Sequence, residues 1–431
     1  SAWLRTRRFW VQILAGAKDM NKIYKDKKII FLLLASLFTR IFVAYFYSDK
    51  ALANEWGLIL HNYLISGVFG FNVVINENLA IPKFAEVGEI VLPTVFMPPL
   101  YLYLIYFIKI LSNEIVNLTS IIIFTQIISS LVSILLLYLI LTKLASNKFF
   151  IWVGTLSFAF FPLNIYATTQ ISSVSFQIFL NLTFFYYLIL FLNQKNFFYL
   201  ILFSIIGGLL ILIRGEYLVF YLFTIFYFFF IYKRNYKFIL ISLFITLLTI
   251  SPYLQRNYKY FDTFILTKSF GYNLLKGNNL SFKVEGDIQS IENIKNSKKN
   301  IKVDNNYEIH LDNLYKEKAL YFIKENPIEY FKLFLLKVFS FLILDFNSTY
   351  PNYFNFFHLF PKIFISITST LGAIFALRKK GFYQFLSIYF FMNVFLFSIF
   401  FILPRYSLML LPVQILLTID FLKYLDRKFF N

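Results

Sequence analysis

Long apolar runs fill this chain from residue 29 to residue 422, divided by short polar interruptions. They fall near 29–47, 97–112, 118–142, 149–166, 172–193, 197–213, 216–232, 236–254, 331–346, 358–377, 382–402 and 405–422. A bilayer core of roughly 30 Å takes about 20 apolar residues as a helix, so most of these runs predict membrane-spanning helices. Two stretches are too polar to remain in a bilayer: Ser48 to about Phe96, and Gln255 to about Glu329, where NSKKNIKVDNN is rich in Asn and Lys. Beyond the latter, LDNLYKEKALYFIKENPIEYF has the spacing of an amphipathic helix leading back toward the membrane. The predicted organisation is an N-terminal transmembrane module over 20–254 that includes a loop over 48–96, a second loop over 255–329, and a C-terminal transmembrane module over 330–431. Residues 1–19, SAWLRTRRFWVQILAGAKD, lack the Lys- and Asn-rich flavour of the segment after Met20 and read as an added leader.

Basic residues orient the runs. NKIYKDKK before the first run places the N-terminus in the cytoplasm, so both long loops are expected on the extracytoplasmic side. Lys143 with Lys148, Lys195, Lys233-Arg234 with Lys237, Arg378-Lys379-Lys380, and Lys423 with Arg427 mark further cytoplasmic turns. These marks conflict in parity. Two runs lie between Phe96 and Lys143, where an odd number of crossings is required, and the same holds between Glu329 and Arg378. The shorter runs 97–112 and 331–346 carry lysine and are the natural half-crossing or interfacial helices. The fold class predicted is an all-α polytopic membrane protein of ten to twelve spans, with both termini cytoplasmic and interfacial helices in two extracytoplasmic loops. The expected location is the inner or plasma membrane.

Composition narrows the chemistry. The chain is 59% hydrophobic and 22% aromatic with only 15% charged residues, which excludes an ordinary soluble domain. Cysteine is absent, so disulfides, thiolate metal sites and thiol catalysis are excluded. His61, His310 and His358 show no paired spacing of the kind that builds a metal cage, and no metal or other cofactor is expected. A net charge of +19 suits anionic lipid headgroups or lipid phosphates; topogenic lysines and drift toward Phe, Tyr, Ile, Asn and Lys explain it equally, and no nucleic-acid partner is expected.

The candidate chemistry gathers on the predicted outer face. The first loop brings Asp49, Glu55 and His61, then Lys83, Glu86 and Glu89 ahead of PTVFMPPLYLYL, which contains Tyr101. Arg214 and Glu216 follow a span end, Arg256 sits in PYLQRN, and Arg405 in PRYSLMLLP. A carboxylate at a membrane boundary can act as a general base for an acceptor, while arginine and lysine bind a phosphate through charge-assisted hydrogen bonds. Bland readings stand beside these. Glu55 is equally a solvated residue on an interfacial helix. Arg256 is equally a snorkelling anchor, and Arg214 and Glu216 fit a mutual pair at a hairpin tip. His61 reads as a headgroup contact or a solvated residue, Tyr101 as packing, and Lys268 and Lys276 as exposed loop lysines.

The order of these blocks resembles the C-type glycosyltransferases that use polyprenyl-phosphate sugars, the superfamily of protein O-mannosyltransferases and lipid A aminoarabinose transferases. Asn54-Glu55-Trp56, Leu60 through Gly67, and Pro98-Pro99-Leu100-Tyr101 stand where that family has an acidic pair, a helix and a PP-x-Y entry. FPLNIYATTQISS, IRGEY, SPYLQRNYKYFDTFILTKSFGYNLLKGNN, NPIEYFKLFLLK and PRYSLMLLP resemble its later blocks, so the likeness covers roughly 29 to 422. The resemblance implies the C-type fold and inverting transfer of a sugar from a polyprenyl-phosphate donor to a lipid, glycan or protein acceptor. Glu55, with Asp49 as its rival, would be catalytic. Arg256, Arg405 and Lys83 would hold the donor phosphate, and His61, Tyr101, Glu86, Glu89, Arg214 and Glu216 would contact substrate. Asn54 departs from the pattern, leaving one acid where relatives often have two. A polymerase or ligase of lipid-linked glycans, or a transporter of a lipid-linked sugar, are the alternatives.

Overall fold

The computed structural model describes residues 26–429 except 53–54, 77–78, 83–89, 113–116, 146, 233–235, 288, 293–296, 298–300 and 351–352. The chain is mostly helical. Helix α1 (Lys27–Tyr47) is followed by α2 (Glu55–Ser66), then by strands β1 (Gly70–Asn76), β2 (Leu79–Pro82) and β3 (Ile90–Pro93). Next come α3 (Pro99–Leu111), α4 (Leu118–Leu144), α5 (Lys148–Ala159), α6 (Pro162–Ala167), α7 (Val174–Gln194), α8 (Phe197–Ile213), α9 (Tyr217–Tyr232) and α10 (Tyr236–Phe261). The second loop holds α11 (Phe270–Gly277), α12 (Gln289–Glu292) and α13 (Tyr307–Glu325), and α14 (Pro327–Leu342), α15 (Phe356–Ala376), α16 (Phe382–Ile399), α17 (Pro404–Leu408) and α18 (Leu411–Phe429) complete the chain. Among the described residues six helices, α1, α4, α7, α10, α15 and α16, are long and apolar enough to cross a membrane, which marks an integral membrane protein.

Asparagine supplies many of the starts. The side chains of Asn117, Asn147, Asn196 and Asn355 accept from the backbone N–H two residues on, at the first turns of α4, α5, α8 and α15, and Asp26 does the same for α1. The first N–H groups of a helix have no partner within it, and a short side-chain acceptor satisfies one of them. The apolar run 149–166 is broken after Ala159 because Pro162, with no N–H, opens α6. Arg40 lies fully buried inside α1, where it donates to Ser36 O (3.2 Å), Ala159 O (3.1 Å) and Ser130 Oγ (3.0 Å). A guanidinium is tolerated there because it meets the Ala159 carbonyl at the electronegative C-terminus of α5, together with Ser36 O and the Ser130 hydroxyl.

Side-chain contacts give the direction of each helix and resolve the parity conflict. Tyr138, late in α4, bonds Asp26 at the start of α1 (3.3 Å), while Gln126, early in α4, bonds Thr168 O and Gln170 O beyond α6. Helix α4 therefore runs from the end that carries the loops toward the end that carries Asp26. Helix α3 starts at the loop end too, where Tyr101 donates to Gln126 (3.0 Å), so it does not carry the chain across. Helix α14 likewise leaves the second loop and returns to it. Lys337 reaches Asn278 (3.0 Å), and Thr349 beyond the helix donates its N–H to Glu285 (3.1 Å). Among the described residues, contacts at their two ends show α4, and α16 with α18, running between the loop end and the opposite end. Lys143, Lys195, Lys379 and Lys423 all lie at the end opposite the loops.

The first loop contains an element not foreseen from the sequence, an antiparallel sheet of order β2-β1-β3 in which Gly70 faces Pro93 and Val73 faces Pro82. It spans the gap between α2 and α3 and sets the position of the Pro93–Pro98 connector. The bundle is held by aromatic packing and by hydrogen bonds between helices, as expected where lipid removes the hydrophobic drive for helix association. Ser204 and Ser242 hydroxyls meet at 2.6 Å, and Thr246 donates to Ser204 O at 2.9 Å, which ties α8 to α10.

Candidate functional site

At the loop end the helices splay around a cavity of about 600 Å³. Its walls come from α2, the connectors before α3 and α7, the α8–α9 turn, α11, α13 and the segment between α16 and α18.

Glu55 opens α2, where the helix dipole favours a negative charge, and lines the cavity half-buried. The chain can fold back before it because residue 57 is glycine, where a Cβ would collide with Leu52 O. Trp56 beside it packs edge-on against Tyr101 with ring centres 5.1 Å apart. Tyr101 is buried and does not reach the cavity. With Gln126, which accepts from Ser172 N (3.2 Å), it braces the turn that presents Ser172 and Ser173. Asp49 belongs to the same brace: its Oδ2 accepts from Ile171 N (2.7 Å), and it does not line the cavity. His61 lies exposed on α2, away from it. Lys83, Glu86 and Glu89 lie outside the described residues.

Arg214 and Glu216 both line the cavity and form an ion pair at the α8–α9 turn. The Arg214 guanidinium also faces Tyr406 and Phe397 and donates to Met409 Sδ (3.0 Å). Arg405 lines the cavity from α17, exposed, and no carboxylate pairs with it among the described residues.

Arg256, expected at the donor phosphate, stands elsewhere. It donates to Thr94 O (2.9 Å), Phe69 O (2.8 Å) and Asn257 Oδ1 (2.8 Å), within a box formed by Phe69, Tyr253, Tyr260 and Phe261. Its N–H groups clamp α10 to the chain entering β1 and the chain leaving β3, and it does not line the cavity. The cation that does face Glu55 is Lys276, read from the sequence as an exposed loop lysine. Lys276 lines the cavity from α11 with its ammonium 4.5 Å from the centre of the Phe401 ring. Burial pulls its pKa below the ordinary lysine range and the neighbouring charge of Arg405 adds to this, while Glu55 opposes both. Lys268, read the same way, also lines the cavity and donates to Asn313 Oδ1 (2.8 Å).

Two acids that sequence reasoning passed over complete the walls. Glu308, in the first turn of α13, accepts from Thr94 Oγ1 and Val95 N, each at 2.7 Å. Burial raises its carboxyl to about 7 despite those bonds and the charge of Arg256. Asp312, one turn on, is buried and accepts from Tyr272 N (3.0 Å). Gly271 makes this contact feasible, since a Cβ there would collide with Asp312 O. A partial signal was available: Asp312 lies in the predicted amphipathic helix, and Glu308, just before its start, stands four residues earlier and so on the same face once the helix extends to Tyr307. Among the described residues no group of three or more acids or histidines gathers in a way that could hold a metal ion.

The cavity therefore joins an acid at a helix start to Lys276 and Arg405, which have no bonded carboxylate among the described residues, at one end of an apolar bundle. No family model and no curated protein matches this chain.

Proposed function

We propose that this protein is a membrane glycosyltransferase of the C-type fold that moves a sugar from a polyprenyl-phosphate carrier to an acceptor on the extracytoplasmic face. The observation that carries the proposal is the placement of Glu55, Lys276 and Arg405 on the walls of one cavity at the loop end of the bundle. Two cations held near each other repel, and a phosphate between them relieves that repulsion through charge-assisted hydrogen bonds. An apolar bundle beside such a site suits a donor whose tail stays in the membrane. The gathering of lysine at the opposite end supports an extracytoplasmic cavity by the positive-inside rule.

In this reading Glu55 takes the proton from an acceptor hydroxyl as its oxygen bonds to the anomeric carbon. The carbon–oxygen bond to the phosphate breaks, and the departing lipid phosphate carries away the electron pair against Lys276 and Arg405. Fixed charges in an enclosed site stabilise that transition state without reorganising. The opposite-face attack inverts the anomeric centre. Asp49 and Arg256 act as positioning residues, one through the 168–173 turn and the other through the sheet.

The test is Glu55→Gln in purified protein supplied with polyprenyl-phosphate sugars and a membrane extract as acceptor. Loss of a general base typically costs about 10²–10⁴-fold in rate. Transfer lost with lipid binding retained is the expected result; unchanged transfer would sink the proposal.

A further inference from the structure

The end of the bundle opposite the cavity carries a groove for which the transfer step has no use. It has a volume of about 410 Å³ and runs between α1 and α5. From α1 it takes Lys27, Phe31 and Ala35, spaced four residues apart, with Lys28 and Leu32 one position on, so these side chains share one face. From α5 and its C-cap it takes Trp152, Leu156 and Phe160, again at steps of four. Leu32 is buried, whereas Phe31, Leu156 and Phe160 are exposed. Toward the loop end the two helices are pinned where Arg40 donates to Ala159 O (3.1 Å). At the lysine end Tyr138 relates them, donating to Asp26 (3.3 Å) while its ring centre lies 5.8 Å from that of Trp152. Lys27, Lys28 and Trp152 therefore stand together at the lysine end, and Ala35 and Phe160 lie deeper along the groove.

Charge is confined to one end of this groove. Lys27 and Lys28 are exposed, and among the described residues no carboxylate is bonded to either. Asp26, the adjoining acid, accepts instead from the Lys28 backbone N–H (3.1 Å) and from Tyr138. The remaining polar group among the lining side chains is the Trp152 indole N–H, also a donor. Such walls fit an amphiphile with an anionic head and an apolar chain. The rise from Lys28 to Ala35 is about 10 Å, which covers most of the roughly 15 Å of hydrocarbon in one leaflet. An extended peptide fits poorly, because no lining side chain accepts from its N–H groups. A zwitterionic headgroup would bring a cation of its own against the two lysines, whereas an acidic one brings none.

We propose that this groove binds one acidic phospholipid, its phosphate at Lys27 and Lys28 and an acyl chain laid between α1 and α5. The positive-inside rule gives the lysine end to the cytoplasm, and the leaflet on that side carries anionic lipid. The bound lipid bridges the first span to α5 on the lysine side of the Arg40 contact. The site is separate from the cavity and stands whether or not the proposed sugar transfer does.

The test uses the full chain in phosphatidylcholine nanodiscs that contain, at equal mole fraction, phosphatidylglycerol or phosphatidylcholine brominated on an acyl chain. Bromine quenches a neighbouring indole, and the difference between the wild-type protein and Trp152→Phe isolates Trp152 from the other tryptophans of the chain. Quenching of Trp152 is expected to saturate at a lower fraction of brominated phosphatidylglycerol than of brominated phosphatidylcholine. Lys27→Gln and Lys28→Gln should each cut that preference about fivefold, and the double variant should abolish it. Lys143→Gln, at the same end but outside the groove, should leave it unchanged. Raising the salt to about 1 M should reduce the preference in the wild-type protein, which gives a readout that needs no variant. Equal quenching by the two lipids, or quenching by neither, overturns the site. So does a preference that survives both salt and the double variant. A loss as large for Lys143→Gln as for Lys27→Gln would also overturn it, since the preference would then report only the charge of the whole end.

Discussion

The two ends of the bundle treat their charges in opposite ways. At the lysine end, Lys379 meets Asp420 at 2.5 Å, and Lys423 reaches toward Leu144 O at 3.5 Å. Acids and cations there pair with each other or face outward. At the loop end, Lys276 and Arg405 line one cavity, and among the described residues no carboxylate is bonded to either. Charge is not scarce at either end; beside the paired Arg214 and Glu216, the cavity also presents Lys276 and Arg405 without a bonded carboxylate, and that distinguishes it. A partly buried, unpaired group such as Lys276 has energy to gain from a ligand, whereas a paired one has little.

Mutation puts this difference at risk, beginning with the largest effect. Glu55→Gln should reduce transfer by about 10²–10⁴-fold, while Lys423→Gln at the other end leaves it within experimental error. Comparable losses from both, measured as initial rates, would erase the distinction. Lys276→Met should weaken polyprenyl-phosphate binding about tenfold. In the wild-type protein this affinity should fall as pH rises through the depressed pKa of Lys276, because the phosphate binds the ammonium and not the amine. That alkaline fall should begin below the ordinary lysine range and vanish in the variant; a pH profile shared by both would remove Lys276 from the phosphate.

Arg256→Met probes the loop end from within. It removes donors from Thr94 O and Phe69 O, so a lower melting temperature is expected, with lipid affinity retained in the folded fraction. A selective loss of lipid affinity at unchanged melting temperature would return Arg256 to the binding site. The smallest effect concerns Glu308, whose carboxyl is raised to about 7 in the folded protein and faces Arg256, Asp312, Thr94 and Val95. A carboxyl raised on folding holds its proton more tightly than in the unfolded chain. Its contribution to stability is therefore full below the ordinary glutamate range and is lost as pH rises through about 7. Thermal melting of Glu308→Gln should show a flatter dependence across that window. An unchanged slope would mean that the carboxyl is solvated.

Much of the architecture was legible in the sequence, because apolar length and polar breaks respond to local physics. The runs at 118–142, 172–193 and 197–213 appear almost residue for residue as α4, α7 and α8. The parity conflict had singled out the segments 97–112 and 331–346, which form α3 and α14 and make contacts at the loop end. The sheet was not legible because its two outer strands have only four residues each and the stretch shows no clear alternation. In the site, Glu55, Arg214, Glu216 and Arg405, all singled out in the sequence, line the cavity. Asp49 and Tyr101 were close in sequence to the right place but turn their polar atoms into a brace.

Hydrophobic length and lysine placement act on each segment separately, so the order of residues alone makes this a helical membrane protein with its polar chemistry gathered at one end. Which charges meet was left to packing in three dimensions. Arg256 at a span end and Lys276 in the following loop are both cations on the predicted outer face, and each residue along a helix turns its side chain by about 100°. Whether such a cation faces the cavity or a neighbouring carbonyl depends on how its helix is rotated and packed. Packing against the sheet turned Arg256 toward Thr94 and Phe69, and the close contact at Gly271 turned Lys276, Tyr272 and Asp312 onto one wall.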